Sequence, residues 1–171
     1  MNFNNFTIKS QEAVQEAVNL VQSRGQQAIE PEHLMAGLLK VGENVTNFIF
    51  QKLGINGQQI ETVLDRQIAS LPKVSGGEAY LSRSANEVLQ KALEVSKELG
   101  DEYVSLEALL LALLNVIHVT GIDRNQVEYV IDCAEEACGD INQRGGGNFR
   151  KVRSRPRALA DFLQDNALAD L

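Results

Sequence analysis

Two segments of this 171-residue chain, residues 7–41 and 82–116, carry the same pattern of residues at a fixed offset of 75. Their apolar positions match in pairs. The pairs are Ala13/Val88, Val14/Leu89, Ala17/Ala92, Val18/Leu93, Leu34/Leu109, Leu38/Leu113, Leu39/Leu114 and Val41/Val116. A self-similarity of this length is typical of tandem helical units that share one core. The repeat therefore predicts a fold that is built twice from the same elements.

Each copy predicts helices whose ends are marked by capping residues. In the first copy, Thr7 precedes a helical run that places Ile8 on its apolar stripe and ends at Gly25. Pro31 opens a second helix, residues 44–53 form a third, and Asn56 caps a fourth. In the second copy, Ser82 and Gly100 stand in the positions of Thr7 and Gly25. The pattern favours an all-α fold of two four-helix-type repeats.

The second copy is shorter than the first. Twelve residues separate Val41 from Gly54, but only four separate Val116 from the equivalent Gly121. We expect the second repeat to lack most of one helix. The predicted layout is a first repeat at 1–70, a linker at 71–81, a shortened second repeat at 82–138 and a flexible, Gly/Arg-rich tail at 139–171, in which Pro156 could begin a last helix.

The net charge of −7 is unevenly distributed along the chain. Residues 1–143 contain 10 Lys/Arg and 20 Asp/Glu, whereas residues 144–171 contain 6 and 3. An acidic body disfavours nucleic-acid binding. The basic run around Phe149 leaves two alternatives, a solvated linker, which we favour, and a weak, salt-dependent RNA contact.

The sequence contains no feature typical of a membrane protein or of a protein from an oxidising compartment. No apolar run reaches the length of a membrane span, and the N-terminus lacks the features of a secretory signal. Two cysteines provide no disulfide framework. We expect a cytoplasmic protein.

The doubled unit closely resembles the Clp N-terminal domain of the Hsp100/Clp AAA+ chaperones. Residues 29–39 carry the resemblance in the first copy and residues 100–107 in the second, and the inter-repeat segment at 71–77 looks most like the ClpB branch. The resemblance is strong over residues 1–116, fair to about 132, and we identify none beyond. No Gly-x-x-x-x-Gly-Lys-Ser/Thr sequence, which cradles nucleotide phosphates, is present in these residues.

The resemblance implies an accessory domain that weakly binds unfolded or aggregated polypeptide for a ClpB-like disaggregase. It also implies that Thr7, Asp101 and Glu107 contact the substrate, although all three also suit the ends of helices as structural residues. The alternatives are a free-standing adaptor or regulator that docks onto a Clp/Hsp100 ATPase ring, or a truncated, non-functional remnant. The family implies a monomer in isolation.

No other set of residues predicts catalysis, a metal or a cofactor. His33 and His118 are isolated in the sequence, and we interpret His33 as a residue at the edge of the core. Cys133 and Cys138 lack a second Cys or His pair for zinc. An apolar groove between helices is the expected binding surface, for which Phe3, Phe6, Phe48, Phe50 and Tyr80 are candidates beside a simple packing role.

Overall fold

The computed structural model describes residues 2–74, 76–117 and 122–142. Over these residues the chain forms seven α-helices and one pair of very short strands. In chain order they are α1 (Ile8–Ser23), β1 (Ala28–Ile29), α2 (Pro31–Val41), α3 (Glu43–Leu53), α4 (Gly57–Ser70), β2 (Tyr80–Leu81), α5 (Arg83–Leu99), α6 (Leu106–Leu114) and α7 (Arg124–Asn142). The predicted all-α fold is confirmed. None of the described helices combines the length and the apolar character needed to cross a membrane.

The two copies of the repeat meet through two equivalent backbone pairings. Strands β1 and β2 are parallel, with Ile29 opposite Leu81, and Phe6 forms an isolated parallel bridge with Val104. Adding the offset of 75 to Phe6 and Ile29 gives Leu81 and Val104. Each copy therefore uses the residues before its first helix to pair with the interhelical loop of the other copy.

Helix starts follow the predicted caps. The side chains of Thr7, Asn56 and Ser82 each accept a hydrogen bond from a backbone N–H of the first turn of α1, α4 and α5. Such caps satisfy N–H groups that have no partner inside the helix. The sequence predicted these starts correctly because capping is a local interaction.

Ser82 additionally joins the two repeats, and its replacement tests that link. Its hydroxyl accepts from the Ala85 N–H at 3.1 Å and donates to the Glu30 carboxylate at 2.8 Å, whereas Thr7 bonds only to Ser10 through its side chain. We expect Ser82→Ala to lower the free energy of unfolding by about 2 kcal/mol and Thr7→Ala by about 1 kcal/mol. Equal losses in urea denaturation would show that the bond to Glu30 contributes no stability.

Helix α6 forms the centre of the core. Each of its nine residues is buried, with at most 8% of the surface exposed. Helices α1, α2, α5 and α7 all pack against it. This enclosure explains why the sequence of α6 has no polar face, and why Glu107 is its only charged residue.

The second repeat has one helix fewer than the first over the described residues. Helices α3 and α4 follow α2, but α7 alone follows α6, and the described residues between them, 115–117 and 122–123, are not helical. Residues 118–121, which include His118, lie outside the described part of the chain. Helix α7 packs against both α6 and α3.

Helix α7 extends further than the sequence predicted. It runs through Gly139 to Asn142, so the tail boundary placed at Gly139 is four residues too early. A glycine inside a helix costs only about 1 kcal/mol and does not by itself end it. The rest of the predicted tail, with the basic run and the helix expected from Pro156, lies outside the described residues.

His33 lies inside the core, and the interpretation of this residue as part of the core edge is wrong. It is 0% exposed. Its Nδ1 accepts from the Glu30 N–H at 3.0 Å, which leaves the Nε2–H to donate to the Gln26 side-chain oxygen at 2.8 Å. The Gln26 amide donates in turn to the carbonyls of Ile68, at 2.7 Å, and Leu71, at 3.3 Å. This chain of bonds fastens the loop between α1 and α2 to the end of α4.

Candidate functional site

Thr7 stands where the start of α1 meets the other repeat. Its N–H donates to the Val104 carbonyl at 3.0 Å. Its hydroxyl accepts from the Ser10 N–H at 3.2 Å and donates to the Ser10 hydroxyl at 3.0 Å. The side chain is half-buried, so part of it still faces solvent.

Asp101 lies in the loop between α5 and α6, three residues before Val104. Gly100 ends α5 with a φ of 78°, a conformation that favours glycine, and the Asp101 N–H then donates to the Ser96 carbonyl at 2.8 Å. The Asp101 side chain is half-buried. Because Val104 is bonded to Thr7, the structure brings Thr7 and this loop to one edge of the molecule.

Glu107 differs from the other two predicted site residues. It is 0% exposed, in the first turn of α6, two residues after the capping Ser105. In this conformation its side chain has no surface to offer a ligand. A carboxylate in the first turn of a helix interacts favourably with the helix dipole, which supports the structural alternative for this residue.

Two exposed apolar side chains flank Thr7 and Asp101, and neither was among the predicted groove residues. Ile8 is 76% exposed and Tyr103 is 46% exposed. The placement of Ile8 on the apolar stripe is therefore wrong, because the first turn of α1 projects beyond the core. No sequence signal marked Tyr103, which lies in a bend just before Val104, the residue that pairs with Phe6.

Most of the predicted aromatic candidates belong to the core. Phe6 and Phe50 are buried, and Phe3 and Phe48 are partly buried against it. Phe3 and Phe6 also stack edge to face, with ring centroids 5.3 Å apart. Tyr80 alone among the five is exposed, at 56%.

The repeat offset defines an equivalent surface on the other side of the domain, and its residues have a different chemistry. The positions of Ile8 and Asp101 correspond to Arg83 and Gln26 at the offset of 75. Arg83 is charged and pairs with Glu87, while Gln26 is buried in the bonds to His33 and α4. The combination of an exposed apolar residue and a half-buried aspartate is therefore confined to the Thr7 side of this pair of faces.

Among the described residues, no three His, Cys, Asp or Glu side chains come close enough together to hold a metal ion. Cys133 is exposed as a free thiol on α7. The expectation that this chain needs no metal or cofactor stays a prediction.

The repeat and the fold coincide with a known family of domains. Residues 5–121 match the family model described as "Clp repeat (R) N-terminal domain", which covers well over half of the chain. The chain belongs to the Clp N-terminal domain family. The predicted resemblance is thereby confirmed.

Relatives among curated proteins place the chain with the ClpB members of the Clp family. The chaperone protein ClpB of Bacteroides thetaiotaomicron is 79% identical over 116 residues, and that of Porphyromonas gingivalis is 53% identical over 114 residues. These alignments cover 68% and 67% of this chain, but 14% and 13% of the relatives. The chain thus spans a small fraction of their length.

Similarity to the Clp family also extends past the point where sequence reasoning ended it. The chaperone protein ClpB 1 of Synechococcus elongatus is 38% identical over 176 aligned positions, covering 98% of this chain and 20% of the relative. This alignment reaches past residue 132, whereas the family model ends at residue 121.

Solved Clp N-terminal domains share the fold. The Hsp104 N-terminal domain from Candida albicans superposes with a TM-score of 0.65 at 20% identity, covering 74% of this chain and 89% of that one. The N-terminal domain of the ClpV1 ATPase from E. coli gives 0.66 at 22% identity, covering 75% and 84%. The matched residues 5–121 correspond to a Clp N-terminal domain.

Proposed function

We propose that this chain is a substrate-engaging domain of a ClpB-like chaperone and binds unfolded or aggregated polypeptide weakly. The observation that carries the proposal is the exposure of Ile8 and Tyr103 beside the half-buried Thr7 and Asp101. Exposed apolar groups beside polar ones are the usual composition of a peptide-binding surface.

The size of this apolar surface supports weak and reversible binding. Complete burial of one large apolar side chain contributes about 1.5–3 kcal/mol, and both residues are already partly covered. Association and the ordering of an unfolded chain oppose this gain by several kcal/mol. Weak binding suits a domain that must release its substrate to a motor.

The polar residues would recognise features that every polypeptide has. Asp101 Oδ2 is buried, so Oδ1 would be the oxygen that accepts hydrogen bonds from backbone N–H groups or from Lys and Arg side chains of a substrate. Thr7 fixes the edge of the surface through its bond to Val104. Recognition would then depend little on substrate sequence, with Glu107 supporting α6 from inside the core.

The wider setting is proposed on the same basis. A cytoplasmic ClpB-type ring would hold this domain and receive the captured polypeptide, and we expect the isolated chain to be a monomer. This expectation is based on the ClpB relatives, one of which is 79% identical to the chain over 116 residues.

Fluorescence anisotropy with a labelled, permanently unfolded protein tests the proposal. We expect the wild-type chain to bind in the micromolar range and the double variant Ile8→Ser/Tyr103→Ser to bind about tenfold more weakly, a loss of about 1.4 kcal/mol. The polar variant Thr7→Ala/Asp101→Ala should also weaken binding. Thr7 and Asp101 border the same surface.

A matched control distinguishes binding at this surface from nonspecific hydrophobic binding. Val74 and Tyr80 are also exposed, at 49% and 56%. Both lie beside the loop between α1 and α2, where their N–H groups donate to the Gly25 and Gln27 carbonyls. Val74→Ser/Tyr80→Ser should leave the affinity within about twofold of wild type. Equal losses in both apolar pairs, or no binding by a chain that still melts cooperatively, would contradict the proposal and favour docking onto a Clp ATPase instead.

A further inference from the structure

A second surface, separate from the Thr7 edge, is a groove between α1, α2 and α4. Its volume is about 660 Å³. Apolar groups that include Leu20 and Ala36 lie on its floor, and both are partly exposed. Six charged residues form its rim: Glu16, Arg24, Lys40, Glu43, Glu61 and Asp65.

Two ion pairs connect the helices around this groove. Lys40 of α2 contacts Glu16 of α1 at 2.6 Å, and Arg24 at the end of α1 contacts Asp65 of α4. These pairs neutralise four of the six rim charges. The remaining two charges of the rim are both negative.

Glu43 and Glu61 supply those two negative charges. Both side chains are exposed, and within the described part of the chain neither forms an ion pair. The rim therefore has a net charge of −2, from four acidic and two basic residues. Two carboxylates beside a partly apolar floor are complementary to a basic polypeptide segment.

The chain itself contains such a segment, after the end of its last described helix. Residues 144–157 carry six Lys/Arg and no Asp/Glu. They begin two residues after the end of α7 at Asn142. Helix α7, which precedes the segment in the chain, packs against α3, and α3 begins at Glu43.

We propose that residues 144–157 dock intramolecularly on this groove, with basic side chains at Glu43 and Glu61. Lys151 is nine residues from Asn142, a span that reaches about 30 Å when extended, the diameter of a small domain. Exposed ion pairs are worth only about 0.2–1 kcal/mol each, but a tether raises the effective concentration to about the millimolar range. Docking would therefore be partial and sensitive to salt.

The docked segment would occupy a surface that another basic polypeptide could use. It would thus exclude competing basic partners from the α1–α4 face while leaving the Thr7 edge open. This inference does not depend on the proposed function, because it uses none of the same residues.

Zero-length cross-linking with a carbodiimide tests the docking in the full chain. Lys151 is the only lysine of residues 144–171, so an amide between Lys151 and Glu43 or Glu61 identifies the contact by mass spectrometry of the monomer fraction. The Lys40–Glu16 pair, already in contact, serves as the internal positive control. We expect the Lys151 cross-link at low salt, with a yield that falls about fivefold near 1 M salt, where the screening length is about 3 Å.

Charge variants decide whether the groove is the site. Glu43→Gln should lower the yield of the Lys151–Glu61 cross-link, and Glu61→Gln that of the Lys151–Glu43 cross-link, because each variant keeps one reactive carboxylate and weakens the docking. Glu12→Gln/Glu78→Gln removes negative charge from exposed positions outside the groove and should leave both yields unchanged. No Lys151 cross-link while Lys40–Glu16 forms, cross-links spread evenly over surface acids, or cross-links found only between two molecules would each overturn the proposal.

Discussion

Replacement of Gly37 by alanine is expected to destabilise the fold by about 1–3 kcal/mol, although this change stabilises most helices. Gly37 lies on α2, where a Cβ atom would come within 2.3 Å of the Ala13 carbonyl oxygen and 3.1 Å of the Ala17 nitrogen on α1. Both contacts are to backbone, which has no rotamer to change. The helices would have to move apart, and their shared core would loosen.

Urea denaturation of the Gly37→Ala variant measures this cost. In a thermal melt, each kcal/mol of this loss should lower the Tm of a chain of this size by about 2–4 °C. Gly37→Val should cost more than Gly37→Ala, because the larger side chain increases the overlap. A stabilised Gly37→Ala variant would contradict the close approach of α1 and α2.

Ala36→Gly is the matched control for helix propensity. Ala36 is the adjacent, partly exposed residue of α2, so its replacement should cost only the ordinary difference of about 1 kcal/mol between the two residues. The two substitutions exchange the same pair of amino acids in opposite directions. Only contact with α1 makes both of them destabilising.

Removal of His33 is expected to be equally damaging. His33→Ala would leave a cavity in the core and would remove the partners of the Glu30 N–H and the Gln26 side chain. Loss of a large core side chain and of buried hydrogen bonds together predicts a decrease of about 3 kcal/mol in the free energy of unfolding. A decrease below about 1 kcal/mol would show that the network contributes little.

The same network makes stability depend on pH. Burial lowers the pKa of His33 below its ordinary value of 6.5, more than the nearby Glu30 carboxylate raises it, and Arg24 adds to the lowering. Between the lowered pKa and 6.5 the unfolded chain binds the proton more readily than the folded chain does. The stabilisation is therefore complete above about pH 6.5 and is lost as the pH falls through the lowered pKa.

His33→Gln should reduce this dependence, because glutamine retains hydrogen-bonding groups but does not titrate in this range. The measurement is the free energy of unfolding at pH 7.5 and 5.5 for the variant and the wild type. Thr7→Ala, which weakens a distant helix cap and keeps His33, should preserve the wild-type slope. An unchanged slope in His33→Gln would assign the pH dependence to other groups.

Much of the fold could be predicted from the sequence because its signals are local. The caps at Thr7, Asn56 and Ser82 act over two or three residues. The left-handed Gly54 and Gly100 end their helices without help from distant parts of the chain. The repeat offset then doubled each of these signals. Pattern and capping together were enough for the all-α class, and the resemblance of the motifs indicated the family.

The candidate site was predictable only in part. Thr7 and Asp101 were identified from the family resemblance, and the structure places both at one partly accessible edge. Glu107 came from the same resemblance but is fully buried. Burial depends on which elements surround a helix, and the sequence of α6 does not specify which helices pack against it.

The sequence by itself determined the helices and the repeat, since these follow from periodicity and caps along the chain, and its motifs indicated the Clp N-terminal domain family by resemblance. Only the tertiary structure decided which apolar residues remain outside, with Ile8 and Tyr103 exposed and Phe6 and Phe50 buried. It also decided that His33 is a core hydrogen-bonding residue. The physical reason is that exposure and buried polar pairing arise from contacts between residues far apart in the chain, and a local pattern does not specify those contacts.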